Sequence, residues 1–506
     1  MKIITILASI CGKSNLPTLH ISPLVAFLVC IYLPVYAEVR PNGLFSDGTV
    51  LQQGIKLPVW GTAKDGEKVT AKFQNQTVTT TAKNGRWMVY LKPLKAGGPF
   101  VMTIAGENII TITNILVGEV WLCSGQSNME MPLAATTNAA EAIAEAADPQ
   151  LRFFKVSHEA SDEPKADVSG SWAESTPGSA KYFSAVGYFF GRDLRRALKV
   201  PIGLIHSSVG GTPAEAWTAH SVLEADPELN QILERQAQAV RDFDPAKAEA
   251  QYEANVAKAK AEGKDISKVQ PIKSPALIIG RPSGLYNAMI APLQPFAIAG
   301  VIWYQGESNN NRANEYRELF PALIRSWRMA WGEGKFPFLF VQIAPHRDMT
   351  PDIREAQLLT WQRVPRTAMA VITDVGEENN IHPTQKEPVG ARLALAARAI
   401  AYGEKIEYSG PVYDSMKVKD NLAVIGFSHI GGGLVVKGAE LKGFTIAGED
   451  GKFVSATAKI DGQKVIVFSP IVTRPVAVRY GWAKAPDINL FNAQGLPATP
   501  FRTDVR

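Results

Sequence analysis

The sequence predicts an α/β protein in which a parallel sheet, covered by helices on both faces, lies between two β modules. Three observations predict it. Strands and helices alternate from Glu119 to about Tyr402, the rhythm of βαβ units. Short alternating strands crowd the stretch from about Phe45 to Leu116, and the same pattern returns after Tyr402, as in sandwich-like modules. A chain of 506 residues with 46% hydrophobic and 20% charged residues has an ordinary globular balance and room for about two to four domains.

Residues 1–37 are read apart from the fold. Lys2 and Lys13 are their charges, no acid precedes Glu38, and an apolar run from Pro23 to Leu33 leads to Val35-Tyr36-Ala37, the small-x-small pattern of a signal peptidase site. The run is shorter than the roughly 20 residues that span a bilayer. The expectation is a cleaved export signal, and a periplasmic or secreted mature chain with no membrane partner. Without Lys2 and Lys13 the formal charge falls from +5 to +3, too weak a balance to argue for nucleic acid. Cys11 and Cys30 leave with the signal, so Cys123 is alone and no intramolecular disulfide can form.

A first β module is expected over residues 38–116, from runs such as Leu57-Pro-Val-Trp60, Lys68–Phe73, Thr77–Thr81 and Trp87–Leu91, parted by Asp65-Gly66 and Asn84-Gly85. The α/β region is expected over 117–404. Its strands are Glu119–Cys123, Ile202–Ile205, Gly300–Trp303, Phe338–Ile343 and Ala368–Thr373; its helical stripes include Val186, Phe189, Phe190 and Leu194, then Tyr316, Leu319, Phe320, Leu323 and Trp327, then Val389, Leu393, Ala396 and Ile400. Ala134–Ala147 reads as an alanine-rich helix, and residues of about 219–275, rich in Ala, Glu, Lys and Gln, as a solvated helical insertion without a sustained heptad. Residues 405–506 form the second β module.

Four loops after four strands carry polar groups that chemistry needs. Ser127, in Ser124-Gly-Gln-Ser-Asn-Met129, follows a strand and precedes a helical region, at the sheet edge where open α/β folds bind ligands; on this pattern alone it reads equally as a nucleophile or an N-cap. His382, in Asn379-Asn-Ile-His-Pro383, returns to that edge and is the favoured base, although His206 and His346 also follow strands. Gln305, in Trp303-Tyr-Gln-Gly-Glu-Ser-Asn309, can donate to an oxyanion or belong to a polar loop capping a helix. Gly210-Gly211 permits close approach and offers an N–H.

These motifs, with Arg354-Glu-Ala-Gln357, make the chain resemble the sialate O-acetylesterase-like group of the SGNH/GDSL hydrolase superfamily from about Phe45 to Arg502. The resemblance implies a flavodoxin-like central domain, Ser127 as nucleophile and His382 as base. It assigns oxyanion donors to the Ser127 and Gly211 amides and to Gln305. It implies removal of O-acetyl groups from carbohydrate, sialate or plant polysaccharide, through an acetyl-enzyme. Asn128 and Glu307 in the motifs, and Trp217 and Tyr304 beside them, are the expected substrate-binding residues; the aromatics stack on sugar or belong to the core. No His-x-x-x-His or cysteine cluster occurs, so no metal or other cofactor is expected.

One position departs from the superfamily pattern. Its aspartate, two or three residues before the histidine, is replaced by Asn379 and Asn380. The imidazole is then oriented by an uncharged group, the reading favoured here, or by Asp374, Glu377, Glu378 or Glu307.

Overall fold

The computed structural model describes residues 38–504, so the expected export signal lies outside the described residues. The centre is a sheet of parallel strands in the spatial order Asp148–Lys155, Ile202–Ser208, Ile109–Gly125, Gly300–Tyr304, Phe338–Val341 and Thr367–Ala370, with Trp172–Ser175 antiparallel at one edge. Successive side chains point to opposite faces of a strand. Val120, Leu122, Val301, Trp303, Phe338 and Phe340 enter one core with the helix Ala313–Trp331. Trp121, Cys123, Ile302, Tyr304, Leu339 and Val341 enter the other, with the helices Ala185–Leu198 and Glu387–Ile400. Trp303 packs edge-on against Trp217 and Trp327, at centroid distances of 6.2 and 5.7 Å, contacts that add about 0.5–1.5 kcal/mol each to the area they bury.

The boundary expected after residue 116 falls inside a single strand. Ile109–Gly125 begins against Gly97–Ala105 in the first β module, takes Val50–Gln52 as a parallel neighbour at Leu116–Gly118, and ends in the central sheet. Module and core therefore share one backbone ladder. The insertion forms the helices His220–Ala225, Pro227–Arg241 and Pro245–Ala261. Asp226 and Asp244 cap the latter two ahead of a proline at the first helical position, the favoured start. They are largely exposed, with Leu229, Ile232 and Ala259 turned inward.

Two sequence expectations change here. The alanine-rich stretch yields only the helix Ala139–Ala144, because Asn138 sits in the left-handed region before it and Asp148-Pro149 begins a strand after it. The edge hairpin of Asp148–Lys155 and Trp172–Ser175 was not expected. The second β module comprises Val412–Lys419, Leu422–Ser428, Thr457–Asp461 and Lys464–Phe468, with a second sheet of Val454–Ser455, Phe444–Ala447, Ala477–Tyr480 and Phe501–Arg502. No helix among the described residues is long and apolar enough to cross a membrane.

Candidate active site

Ile109–Gly125 has Ile202–Ser208 on one side and Gly300–Tyr304 on the other, so the chain changes direction of winding at its C-terminal end, the usual place for a ligand. The turn there is tight. Gly125 has φ +139°, and a Cβ on it would lie 2.1 Å from the Tyr304 carbonyl oxygen, so no other residue fits. The Gln126 N–H then donates to that carbonyl at 3.0 Å. Ser127 opens a short helix, Ser127–Glu130, whose N-cap is Gln126; the serine is not the cap. Its Oγ lies 2.7 Å from His382 Nε2. Among the described residues the Ser127 and Gly211 amides have no hydrogen-bond acceptor. Gly211 adopts φ +72° with open space around it, and its neighbour Gly210 is tied down by an N–H bond to Glu130 Oε2 at 2.7 Å.

The His382 loop is held by side chains. Glu377 accepts from the Thr384 N–H at 2.8 Å and from Asn380 Nδ2 at 3.0 Å, while Asn380 Oδ1 accepts the His382 N–H at 3.0 Å. None of the candidate acids bonds to the ring. Asp374 forms a two-pronged pair with Arg392 at 2.7 Å on each arm, Glu307 binds Asn128, and Asn379 accepts from Arg347. Among the described residues Nδ1 has no hydrogen-bond partner. Asn380 instead accepts the His382 main-chain N–H, and no asparagine side chain bonds to the imidazole among the described residues. Burial first, then the Lys386 charge and His346, hold the imidazole below its ordinary 6.5. Neither of the other two candidate histidines bonds to Ser127: His206 is buried against Ser208 at 2.6 Å, and His346 accepts the Asp348 N–H.

Behind this pair lies a buried polar chain. Lys386 Nζ donates to Asn128 Oδ1 at 2.5 Å, and Asn128 Nδ2 donates to Glu307 Oε1 at 2.6 Å and to the Ile381 carbonyl at 3.0 Å. Burial pushes the Glu307 carboxyl up and brings the Lys386 ammonium down to about 7. Asn128 and Glu307 are therefore buried inside the protein, and so are the expected aromatics. Trp217 and Tyr304 are wholly buried; the Trp217 indole donates to Thr212 Oγ1, and the Tyr304 hydroxyl lies in the core without a partner. Gln305 departs from expectation as well. It is buried, its amide donates to Asn309 Oδ1 at 2.6 Å and to the Thr212 carbonyl at 3.4 Å, and its carbonyl accepts from the Tyr316 hydroxyl. Its donors are engaged inside the protein. It braces the 212 loop instead, together with Asn309, which accepts the Ala214 N–H.

The surface beside Ser127 is a cleft of about 500 Å³ lined by Glu130, Met131, Pro132, Lys155, Tyr182 and His382. Tyr182 is 65% exposed, and Lys155 ends the strand Asp148–Lys155. Neither residue follows a recognisable motif. A larger hollow lies away from this chemistry, at the opposite end of the sheet near Glu119 and Glu333. Among the described residues no group of three or more His, Cys, Asp or Glu side chains could hold a metal ion.

A hydroxyl against an imidazole, beside two unengaged amides, can accept a carbonyl carbon and hold its oxyanion. Comparison with known proteins narrows the chemistry. Residues 117–250 and 256–399 match the family model of carbohydrate esterases described as sialic acid-specific acetylesterase. The chain is 34% identical over 403 residues to the sialate O-acetylesterase of Rattus norvegicus, covering 70% of this chain and 72% of that protein. It is 32% identical over 498 residues to that of Mus musculus, covering 88% and 90%. The crystal structure of a carbohydrate acetylesterase from Xanthomonas citri superposes with a TM-score of 0.79 at 40% identity, over 92% of this chain and 100% of that one. The chain belongs to the sialic acid-specific acetylesterase family of carbohydrate esterases, and is a carbohydrate O-acetylesterase.

Proposed function

We propose that Ser127 attacks the acetyl carbonyl of an O-acetylated sugar while His382 takes its proton, and that the Ser127 and Gly211 amides hold the oxyanion. The observation that carries this reading is the 2.7 Å separation of Ser127 Oγ and His382 Nε2 at a cleft mouth. His382, held below its ordinary range, is neutral near pH 7 and ready to act as base. Collapse of the tetrahedral intermediate breaks the ester C–O bond, and the proton passes from the imidazole to the departing sugar oxygen. Water, deprotonated by the same imidazole, then splits the acetyl-enzyme into acetate and free serine. Gln305 is left out of the donor set, because its amide is engaged.

The sugar lies on the cleft wall formed by Met131, Pro132 and Tyr182, whose exposed ring suits stacking on a pyranose. Setting the edge hairpin aside, the sheet order is second, first, third, fourth, fifth strand, the flavodoxin-like order, which supports an SGNH hydrolase domain over 117–404. Sandwich-like modules flank it over 38–116 and 405–506. Residues 1–37 act as an export signal and the enzyme works in the periplasm or outside the cell. Acetate release from O-acetylated sialoglycans, xylan and xyloglucan, measured with the Ser127→Ala protein as control, tests the function. Turnover of at least one substrate by the parent and none by the variant is expected; equal turnover by both sinks the mechanism. Tyr182→Ala should raise KM for the polysaccharide about tenfold, with little change for a small acetyl ester. An equal change on both substrates would remove Tyr182 from the sugar site.

A further inference from the structure

Lys386 is an unusual residue to find beneath an esterase site. It is completely buried, although a long cationic side chain is rarely taken out of water unless something pairs with it. Its Nζ lies 2.5 Å from Asn128 Oδ1 and 5.0 Å from the centre of the Tyr304 ring. Asn128 spends its amide on Glu307 Oε1 at 2.6 Å and on the Ile381 carbonyl at 3.0 Å. The second Glu307 oxygen is buried with no partner. Asn128 follows the serine directly, and Ile381 directly precedes the histidine. The lysine thus terminates the one polar connection among the described residues that ties the nucleophile's helix to the base's loop from below.

Lys386 and Glu307 meet through Asn128 rather than in a direct ion pair, and a buried charge costs stability unless it is well paired, so stability is a weak reason to keep the lysine here. What the chain does provide is a fixed separation between two loops that arrive from opposite ends of the sequence. It also places a positive charge close enough to bear on the imidazole. We propose that Lys386 is a positioning residue for deacetylation: through Asn128, which also holds the Ile381 carbonyl next to His382, it sets the spacing of Ser127 and His382 and brings a positive charge beneath the imidazole. The inference rests on the reading of Ser127 and His382 as nucleophile and base.

The groups that face one another are few. Lys386 and His346 both bear on His382 and disfavour its protonation. Glu307 and Glu377 bear on Lys386 and favour its charge against the cost of burial. His382 is held below its ordinary value, and Lys386, at about 7, still carries its proton below that point. Its removal therefore raises the imidazole pKa, and the acid limb of the rate profile moves up in pH.

The test uses the full mature chain and a chromogenic acetyl ester, with pH profiles of kcat and kcat/KM for Lys386→Met, Lys386→Arg and Lys386→Met combined with Glu307→Gln. The double variant removes the Glu307 carboxyl together with the ammonium and leaves no buried carboxylate behind; circular dichroism and thermal melting check each. Lys386→Met is expected to lower kcat up to about 10²-fold, as a small misplacement can, with KM little changed. Its acid limb should move toward the ordinary imidazole value of about 6.5. The double variant should show the same movement, and Lys386→Arg should keep the limb near its parental position. A folded Lys386→Met or double variant with parental kcat and an unmoved limb overturns the proposal. So does a loss of kcat with the limb unmoved in both, since a merely structural lysine would behave that way. If the mechanism itself is wrong, Ser127→Ala stays active, and that result is read independently of Lys386.

Discussion

Ser127 and His382, the proposed nucleophile and base, are held by different means. Ser127 is set by backbone: Gly125 presses against the Tyr304 carbonyl, Gln126 donates to the same carbonyl, and the strand below is hydrogen-bonded on both sides. His382 depends on side chains as well as on the loop's own backbone bonds: Glu377, Asn380 and, through Asn128, Lys386. A backbone-built turn tolerates no substitution at its glycine and hardly notices its neighbours' chemistry. A side-chain-built loop tolerates any single change partly, and each change should read out as a loss of rate or a shift with pH.

The comparison breaks outright if the two residues do not act together. Ser127→Ala and His382→Ala are each expected to lower kcat by roughly 10⁴–10⁶-fold, and the double variant by no more than the worse single one. Single-turnover acetate release measures this; additive losses would mean that they serve different steps. Next in size is Gly125→Ala. A Cβ 2.1 Å from a backbone oxygen at φ +139° should destabilise the fold by roughly 2–4 kcal/mol, seen as a lowered urea midpoint. An unchanged midpoint would show that the turn is not held as tightly as its backbone implies.

The same contrast explains what could be read from the sequence. Backbone-built features leave local marks: an apolar strand, a small-residue turn and a polar residue at the strand end were enough to find Ser127, the glycine loop and the strand before His382. Side-chain networks leave none. Lys386, near the start of the helix Glu387–Ile400, looks like any solvated lysine, and only its position in space shows it buried. Trp217 and Tyr304 were placed beside the right loops, but one residue's step along a strand or turn decides whether a ring meets substrate or core. Arg152 hid the edge hairpin, since a charge in Leu151-Arg-Phe-Phe154 breaks an apolar run. In the fold it is buried against the Gly48 and Asn114 carbonyls and paired with Glu174.

Asn380→Asp sharpens the comparison on the side-chain half. Asn380 Nδ2 donates to Glu377 at 3.0 Å, and the Thr384 N–H bond first, then that of Asn380, hold the Glu377 carboxyl below the usual range. An aspartate keeps the acceptor for the His382 N–H but sets two carboxylates against each other, so one of them must take up a proton more readily. The variant is expected to lose about tenfold in kcat near neutral pH. Its activity relative to the parent should recover as the pH falls and the pair shares a proton. A gain in kcat would instead restore the acid that the superfamily pattern leads one to expect.

Asn379→Asp should do least, and for that reason it discriminates best. Asn379 lies three residues before the histidine, a position at which the superfamily usually has its aspartate, so the pattern alone predicts a gain. The geometry predicts none. Asn379 is exposed, and its Oδ1 accepts from Arg347 Nη1 at 3.2 Å, with no contact to the imidazole. A carboxylate there would exchange one surface hydrogen bond for a surface ion pair worth about 0–1 kcal/mol, too far out to fix a tautomer or to stabilise an imidazolium. The pH profile of kcat/KM should therefore overlay that of the parent, with kcat within about twofold. A rise in kcat with the acid limb displaced would mean that the loop closes over the ring during turnover and that Nδ1 gains its partner only then. The base would then be organised by substrate, while the nucleophile is organised by the fold.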